Sequence, residues 1–157
     1  MTLHSFAVPP GNRYFEDYTP GHVYEFGAVT VSEAEIIEFA ARYDPQPFHL
    51  DPEAAMASLF GGLAASGWHS AAMMMRLIVD SEFRPAGGII GGGGELAWLK
   101  PVRPGDELRV ESEIIELRQS RSRPQQGIVK VRLTMLNQEG EAVQTFTPTL
   151  LVNRRPG

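Results

Sequence analysis

The stretch DPQPFHLD, residues 44–51, contains the residue types best suited to acid–base chemistry. Asp44 precedes His49 by five positions, with prolines at positions 45 and 47. A fully extended polyproline segment would separate the two side chains by about 15 Å, so they can share a water molecule only if the loop turns. Proline restricts the backbone, and a turned loop of this kind loses less entropy on ordering. The pattern is compatible with a carboxylate and an imidazole acting on one water molecule.

Other interpretations of this loop stay open. Asp44 could cap a turn, with His49 as a half-buried side chain whose hydrogen bonds are satisfied. A metal set of Asp44, His49 and Asp51 is a further alternative, but a third ligand of convincing spacing is missing and we expect no metal site. The glycine run 91–94 lacks the Gly-Lys-Ser/Thr of a phosphate-binding P-loop.

Gly67, in the sequence AASGWHS, stands where the most apolar helix of the chain is expected to begin. The first amides of a helix lack intrahelical acceptors and carry a partial positive charge. Such an amide can stabilise an oxyanion that develops on a thioester. Gly67 could instead serve only to allow close packing at the start of the helix. A carboxylate, an imidazole and an amide donor are together the groups that enolate chemistry on a thioester requires.

Composition and charge exclude several classes of protein. The 157 residues, 43% hydrophobic and 21% charged, suit one globular domain with a core. The net charge of −5 argues against nucleic-acid binding, and the absence of cysteine excludes disulfides and thiolate chemistry. The N-terminus does not resemble a secretory signal, and the longest apolar segment, residues 71–79, is interrupted by Arg76. We therefore expect a cytoplasmic protein with no nucleic-acid or membrane partner.

Helices are expected on both sides of the 44–51 loop. Ser32 and Glu35 form an S-x-x-E capping box at the start of a helix over about 32–42. The prolines of the loop end that helix, because proline lacks an amide hydrogen and disfavours helical backbone before it. Pro52 favours a second, short helix.

The third expected helix runs from about Ser66 to Glu82 and is the most apolar part of the chain. Its apolar side chains are spread around almost the whole circumference. That distribution indicates a helix buried on every side.

The second half of the chain alternates between apolar and polar residues, as half-buried strands do. Pro148, in the last of these strands, implies a bulge or an edge. Together they predict an α+β fold, with an antiparallel sheet wrapped around the apolar helix. The expected strands cover residues 22–31, 94–101, 107–114 and 129–135, with a last strand that follows the 137–140 turn and extends through residue 152.

We interpret residues 1–157 as a single domain, in which residues 1–21 are an extended lead-in. A sheet of this size leaves unpaired backbone groups on its edge strands, and two copies can satisfy them by pairing edge to edge. At least a homodimer is therefore expected.

Three segments, ARYDPQPFHLDPEAA, FGGLAASGWHSAAMMMRLIVD and ELAWLKPVRPGDEL, resemble the MaoC-like dehydratase family, which includes the (R)-specific enoyl-CoA hydratases. The resemblance covers about residues 15–153 and implies the α+β hot-dog fold. Its most specific part is the hydratase signature D-x-N-P-x-H, matched here by residues 44–49. One position departs from the signature, because Gln46 replaces the asparagine.

The resemblance implies reversible syn addition of water to a trans-2-enoyl-CoA thioester. It assigns the acid/base pair to Asp44 and His49 and the oxyanion amide to Gly67. The substrate would carry coenzyme A, and no separate cofactor is expected. Gln46 keeps the amide chemistry but adds a methylene, which bears on the position of the substrate.

The substrate-binding residues we expect are Gln46, Phe48, Trp68 and Arg103. Phe48 would also anchor the loop in the core, and Trp68 would belong to an acyl tunnel. Arg103 would bind the phosphates of coenzyme A, since arginine suits discrete phosphate groups. Three further residues could line the acyl tunnel or could instead pack in the core: Phe60, Met73 and Met74. Three arginines could bind the phosphates or could instead belong to a solvated turn: Arg118, Arg121 and Arg123.

Two other functions are compatible with the sequence. Hot-dog proteins include acyl-CoA thioesterases, whose catalytic carboxylate usually lies on or near the central helix, and here that helix offers only Asp80, far from its start. A non-catalytic acyl-CoA-binding dimer is the other alternative.

Overall fold

The computed structural model describes residues 2–9, 11–81 and 83–157. Over this part of the chain, the expected helices and strands follow in the predicted order, and one further short helix covers residues 47–50, where no helix was predicted. The helices are α1 (Glu33–Tyr43), α2 (Pro47–Leu50), α3 (Pro52–Met56) and α4 (Gly67–Val79), and the strands are β1 (Val23–Thr30), β2 (Ile90–Trp98), β3 (Glu107–Gln119), β4 (Gln126–Leu136) and β5 (Ala142–Asn153).

The five strands form one antiparallel sheet in the order β1-β3-β4-β5-β2. Alternate side chains of the central strands are buried, as the period-two pattern predicts. β1 and β2 are the edge strands of this sheet. The buried side chains that confirm the predicted inward faces are Leu108, Val110, Ser112, Ile114, Val129, Val131, Leu133 and Met135.

Pro148 lies in β5, which pairs with strands on both sides and is not an edge. The predicted irregularity is present in the neighbouring strand, where β2 shifts register between Gly91 and Gly94, next to the pairing of Gly94 with Pro148. An extra residue in β2 accommodates a strand position that lacks an amide donor.

The central helix α4 begins after the N-cap Ser66 and ends at Val79, with Asp80 as its C-cap. The predicted end at Glu82 lies outside the described residues. Within the chain, α4 is buried on one face only, because the sheet covers one side of it. The expectation of burial on every side is wrong for the single chain: Trp68, Met75 and Val79 are 60%, 41% and 43% exposed.

The helix before the 44–51 loop starts and ends close to the predicted bounds. Ser32 accepts a hydrogen bond from the Glu35 amide, and the Glu35 carboxylate accepts one from the Ser32 amide, so the capping box is confirmed. α1 ends at Tyr43, and Asp44 is its C-cap. Among the described residues, no helix is long and apolar enough to cross a lipid bilayer.

Candidate active site

The loop after α1 turns, as a shared water molecule requires. The Gln46 amide donates to the Asp44 carbonyl over 2.8 Å, and the His49 amide donates to the Gln46 carbonyl over 2.9 Å. Pro47 then begins the short helix α2. The result is that Asp44 Oδ2 and His49 Nε2 lie 3.4 Å apart.

His49 is buried and held in one orientation. Its Nδ1 lies 2.6 Å from the Ala64 carbonyl oxygen, which can only accept, so Nδ1 carries the proton in the neutral ring. Nε2 therefore presents a lone pair towards Asp44. Phe48 packs edge-on against the imidazole, with ring centroids 4.6 Å apart, and fixes the ring plane.

Asp44 accepts two hydrogen bonds from neighbouring side chains. Gln46 Nε2 donates to Oδ1 over 2.5 Å, and Ser66 Oγ donates to Oδ2 over 2.7 Å. Burial raises the pKa of Asp44, but the bonds from Gln46 and Ser66 and the nearby His49 outweigh it, so the pKa lies below its ordinary value. Asp44 is thus a carboxylate at neutral pH. The glutamine that departs from the family signature still contacts the carboxylate.

Gly67 is the first residue of α4, as expected, and it packs closely against Trp98. A Cβ atom at this position would lie 2.4 Å from Cε2 of the Trp98 indole, so close packing requires glycine. Trp98 Nε1 donates to the Gly67 carbonyl over 2.9 Å and to Gln144 Oε1 over 3.0 Å. The Gly67 amide itself donates to no acceptor within the described residues. It is therefore available to a ligand.

The dyad and Gly67 line one cavity of about 480 Å³. Gln46, Phe48 and Trp68 line it as well, so the structure brings these predicted substrate-binding residues together with the predicted catalytic ones. The remaining lining residues are Phe60, Ala65, Ser70, Trp98, Leu99, Lys100, Pro101 and Val102. Met73 and Met74 belong to the buried core instead.

The structure does not bring Arg103 to this cavity. Its guanidinium donates to the backbone carbonyls of Phe60, Gly62 and Leu63, and it borders a separate surface depression. The conformation of that loop, which the sequence does not reveal, directs both terminal nitrogens of the guanidinium to backbone carbonyls. Arg103 instead holds the loop that carries Phe60 into the cavity wall.

The other predicted ligands also lie elsewhere. Arg118 lies in the β3–β4 hairpin, at the far end of the sheet from Trp98. The strand register aligns Arg118 across the sheet with Ile90 of β2, which is eight residues, or roughly 26 Å along the strand, from Trp98. Asp51 caps α3 by accepting from the Glu53 amide. Among the described residues, no group of three or more acidic or histidine side chains could hold a metal ion.

Sequence reasoning missed several residues of the site. Ser66 stands at the predicted start of the helix, where serine is a favoured N-cap, and that signal could have identified its capping role. Ser70 follows Gly67 by three positions and so shares its helix face. Trp98 and Gln144 gave no signal, because their contact depends on the pairing of β2 with β5.

Known proteins resemble the chain in both sequence and structure. The crystal structure of a MaoC-like dehydratase from Rhodospirillum rubrum superposes with a TM-score of 0.89 and 51% identity, covering 93% of this chain and 100% of that one. The unliganded (R)-hydratase PhaJ1 from Pseudomonas aeruginosa gives a TM-score of 0.73 and 26% identity over 94% of this chain and 90% of that one. The hot-dog fold is thereby confirmed.

A relative in sequence is the mesaconyl-CoA hydratase of Cereibacter sphaeroides, 34% identical over 147 residues. The match covers 91% of this chain and 42% of that protein, so the chain spans about two fifths of that relative's length. The family model described as a MaoC like domain matches residues 16–136, which include the loop, α4 and most of the sheet. The resemblance seen in the sequence is confirmed, and the chain belongs to the MaoC-like domain family.

Proposed function

We propose that the protein is an (R)-specific enoyl-CoA hydratase, which adds water reversibly to a trans-2-enoyl-CoA thioester. The observation that carries the proposal is the 3.4 Å separation of Asp44 Oδ2 and His49 Nε2 in a cavity that is also lined by Gly67, whose amide has no acceptor among the described residues. Two of the similar proteins are hydratases by name, one of them acting on a CoA thioester, which supports this reaction class.

The two acceptors of the dyad face the same space. A water molecule between them donates one O–H to His49 Nε2 and the other to Asp44 Oδ2, and keeps a lone pair for the β-carbon of the enoyl group. His49 is the base, since its Nδ1 proton is held by Ala64 and its Nε2 is free to accept. Asp44, held as a carboxylate, orients the water molecule.

The electron pair of the double bond moves towards the thioester as the water oxygen bonds to the β-carbon. Negative charge then develops on the thioester oxygen, where the Gly67 amide donates to it. The dyad returns a proton to the α-carbon from the face on which water was added, which gives syn addition. The reverse sequence dehydrates a 3-hydroxyacyl-CoA.

Water addition to an enoyl thioester transfers no electrons to a carrier. Coenzyme A therefore takes part as a portion of the substrate, and the reaction needs no separate cofactor. The acyl group extends from the dyad along the apolar cavity wall that Phe48, Phe60 and Val102 provide.

Two copies of the chain associate, in this proposal, through α4 and the edge strand β2. The exposed side of α4 carries Trp68, Met75 and Val79, and β2 exposes Ile90 and Trp98. Trp68 and Trp98 touch, with ring centroids 5.1 Å apart, so the two elements form one apolar face. Light scattering should give twice the chain mass, and Val79→Glu should reduce it to the monomer mass.

The test of the reaction is incubation with crotonyl-CoA while the conjugated enoyl absorbance and free thiol are followed together. Loss of absorbance without thiol is the expected result. Asp44→Asn and His49→Ala should each lower kcat/KM at least about 100-fold, the usual weight of acid–base catalysis. Asp80→Asn is the matched control, since Asp80 caps the far end of α4 and pairs with Arg76.

Thiol release at a rate that Asp80→Asn abolishes would indicate the thioesterase alternative. Full hydration by Asp44→Asn and His49→Ala would refute the assignment of the dyad. Binding of crotonyl-CoA without any conversion would indicate the non-catalytic alternative.

A further inference from the structure

Ser70 is a buried hydroxyl that the proposed reaction has not used. Its residue is 3% exposed, and it lines the same cavity as Gly67 and the dyad. Its hydroxyl has no hydrogen-bond partner among the residues that the structure describes. The Ser70 oxygen is not one of the side-chain atoms that are sealed from solvent without a partner, so it opens to the cavity that Ser70 lines. A polar group of a bound ligand can therefore accept a hydrogen bond from it.

Helix geometry directs this hydroxyl towards the start of α4. The Ser70 amide donates to the Ser66 carbonyl over 3.1 Å, so Ser70 lies one turn beyond the N-cap. Side chains of a helix lean towards its N-terminus and cover the preceding turn. Gly67 is three positions earlier and on the same face, and it has no Cβ to obstruct the approach. The Ser70 hydroxyl and the free Gly67 amide thus face one region of the cavity.

The other polar groups of the site are already engaged. Both oxygens of Asp44 accept side-chain hydrogen bonds, and His49 Nδ1 donates to Ala64. Within the described residues Ser70 makes no hydrogen bond to His49, so it lacks the partner that would make it a nucleophile. Ser70 is left with the role of a donor to a bound molecule.

We propose that the Ser70 hydroxyl is a second donor to the thioester oxygen, beside the Gly67 amide. This inference rests on the proposed function, in which charge develops on that oxygen as water adds to the β-carbon. Two donors converging on one oxygen stabilise the enolate more than the substrate, and so raise kcat. Ser70 is then a catalytic residue that transfers no proton.

Ser70→Ala is the direct test, because alanine suits a helix and removes only the hydroxyl. With crotonyl-CoA, kcat should fall about 10- to 100-fold while KM changes little. Ser112→Ala is the matched control: Ser112 is a fully buried serine on β3 whose hydroxyl also lacks a partner in the described part of the chain, and it does not line the cavity. That control should keep the wild-type kcat.

A second measurement does not require turnover. A para-dimethylamino-cinnamoyl-CoA thioester absorbs at longer wavelength when its carbonyl oxygen accepts hydrogen bonds. The bound spectrum should be shifted to longer wavelength by the wild-type protein and shifted less by Ser70→Ala. Ser112→Ala should give the wild-type shift.

The outcomes separate this inference from the proposed function. Hydration by the wild type with an unchanged kcat in Ser70→Ala overturns the role of Ser70 and leaves the hydratase intact. A spectral shift that depends on Ser70, without hydration, supports the donor and refutes the hydratase. Absence of both hydration and shift in the wild type overturns both.

Discussion

Ser66 connects the proposed acid/base pair to the start of α4. Replacing it with alanine should lower the free energy of unfolding by more than the loss of a helix cap alone. Its hydroxyl accepts from the Trp68 amide and donates to Asp44 Oδ2, and the residue is 0% exposed. An N-cap serine contributes about 1 kcal/mol, and a buried hydrogen bond to a charged group about 1.5–3 kcal/mol. Ser66→Ala should therefore lower the free energy of unfolding by about 2.5–4 kcal/mol.

The chain contains a matched control in Ser32, which caps α1 with the same chemistry but at an exposed position. Ser32→Ala should lower the free energy of unfolding by only about 1 kcal/mol, because a hydrogen bond to an exposed carboxylate adds little stability. Urea unfolding of the wild type and both variants at about pH 7 measures the difference.

The excess cost of Ser66→Ala should depend on pH. The pKa of Asp44 in the folded protein lies below its ordinary value of 3.8, so its contribution to stability is present above that value and is lost as pH falls through the folded pKa. The difference between the losses of unfolding free energy in Ser66→Ala and in Ser32→Ala should therefore shrink as pH falls below about 3.8. In the crotonyl-CoA assay, the break in the acidic limb of kcat/KM that arises from protonation of Asp44 should move to higher pH in Ser66→Ala, because the carboxylate then protonates more readily.

Equal destabilisation by the two serine variants, together with an acidic limb that does not move, would refute this account of Ser66. It would mean that the hydroxyl acts on α4 alone. Ser66→Thr, which keeps the hydroxyl, should recover most of the pH profile.

Three further predictions concern other contacts of the site. Gly67→Ala places a methyl group 2.4 Å from the Trp98 indole, so calorimetry should show a loss of about 1–3 kcal/mol and kinetics a fall in kcat of at least about 10-fold. Arg103→Ala removes the donors to three carbonyls of the loop before α4, so stability should fall by about 2–3 kcal/mol; a raised KM with unchanged stability would instead indicate phosphate binding. Gln46→Leu removes one hydrogen bond to Asp44, so the acidic limb of kcat/KM should move to higher pH, whereas Gln46→Glu should move it further by adding a like charge.

Local signals in the sequence predicted the elements around the site well. The Ser32 and Glu35 capping box, Pro52 at the start of α3 and the alternation in β3 each depend on neighbours a few positions apart. Such signals are physical constraints on short segments, so they hold without knowledge of the rest of the fold. The turn that joins Asp44 to His49 was expected only as a condition for the two side chains to share a water molecule, and the prolines alone did not predict it.

Contacts between distant segments were not predictable in this way. The apolar circumference of α4 indicated complete burial, but periodicity does not distinguish a face that meets the sheet from one left exposed, as at Met75. Arg103 was expected to bind phosphate, because nothing local reveals that three carbonyls of a loop about 40 positions earlier accept its hydrogen bonds. The contact of Trp98 with Gly67 likewise arises only when β2 joins the sheet.

The chain contains two tryptophans, Trp68 and Trp98, and both line the same cavity. Fluorescence excited at indole wavelengths therefore reports on this region, which includes both the cavity and the proposed dimer face. An acyl-CoA that binds in the cavity as proposed should displace solvent from the two rings and alter their emission. Dissociation constants for a series of acyl groups can then be measured without a label, including in Asp44→Asn, where the ligand is not consumed.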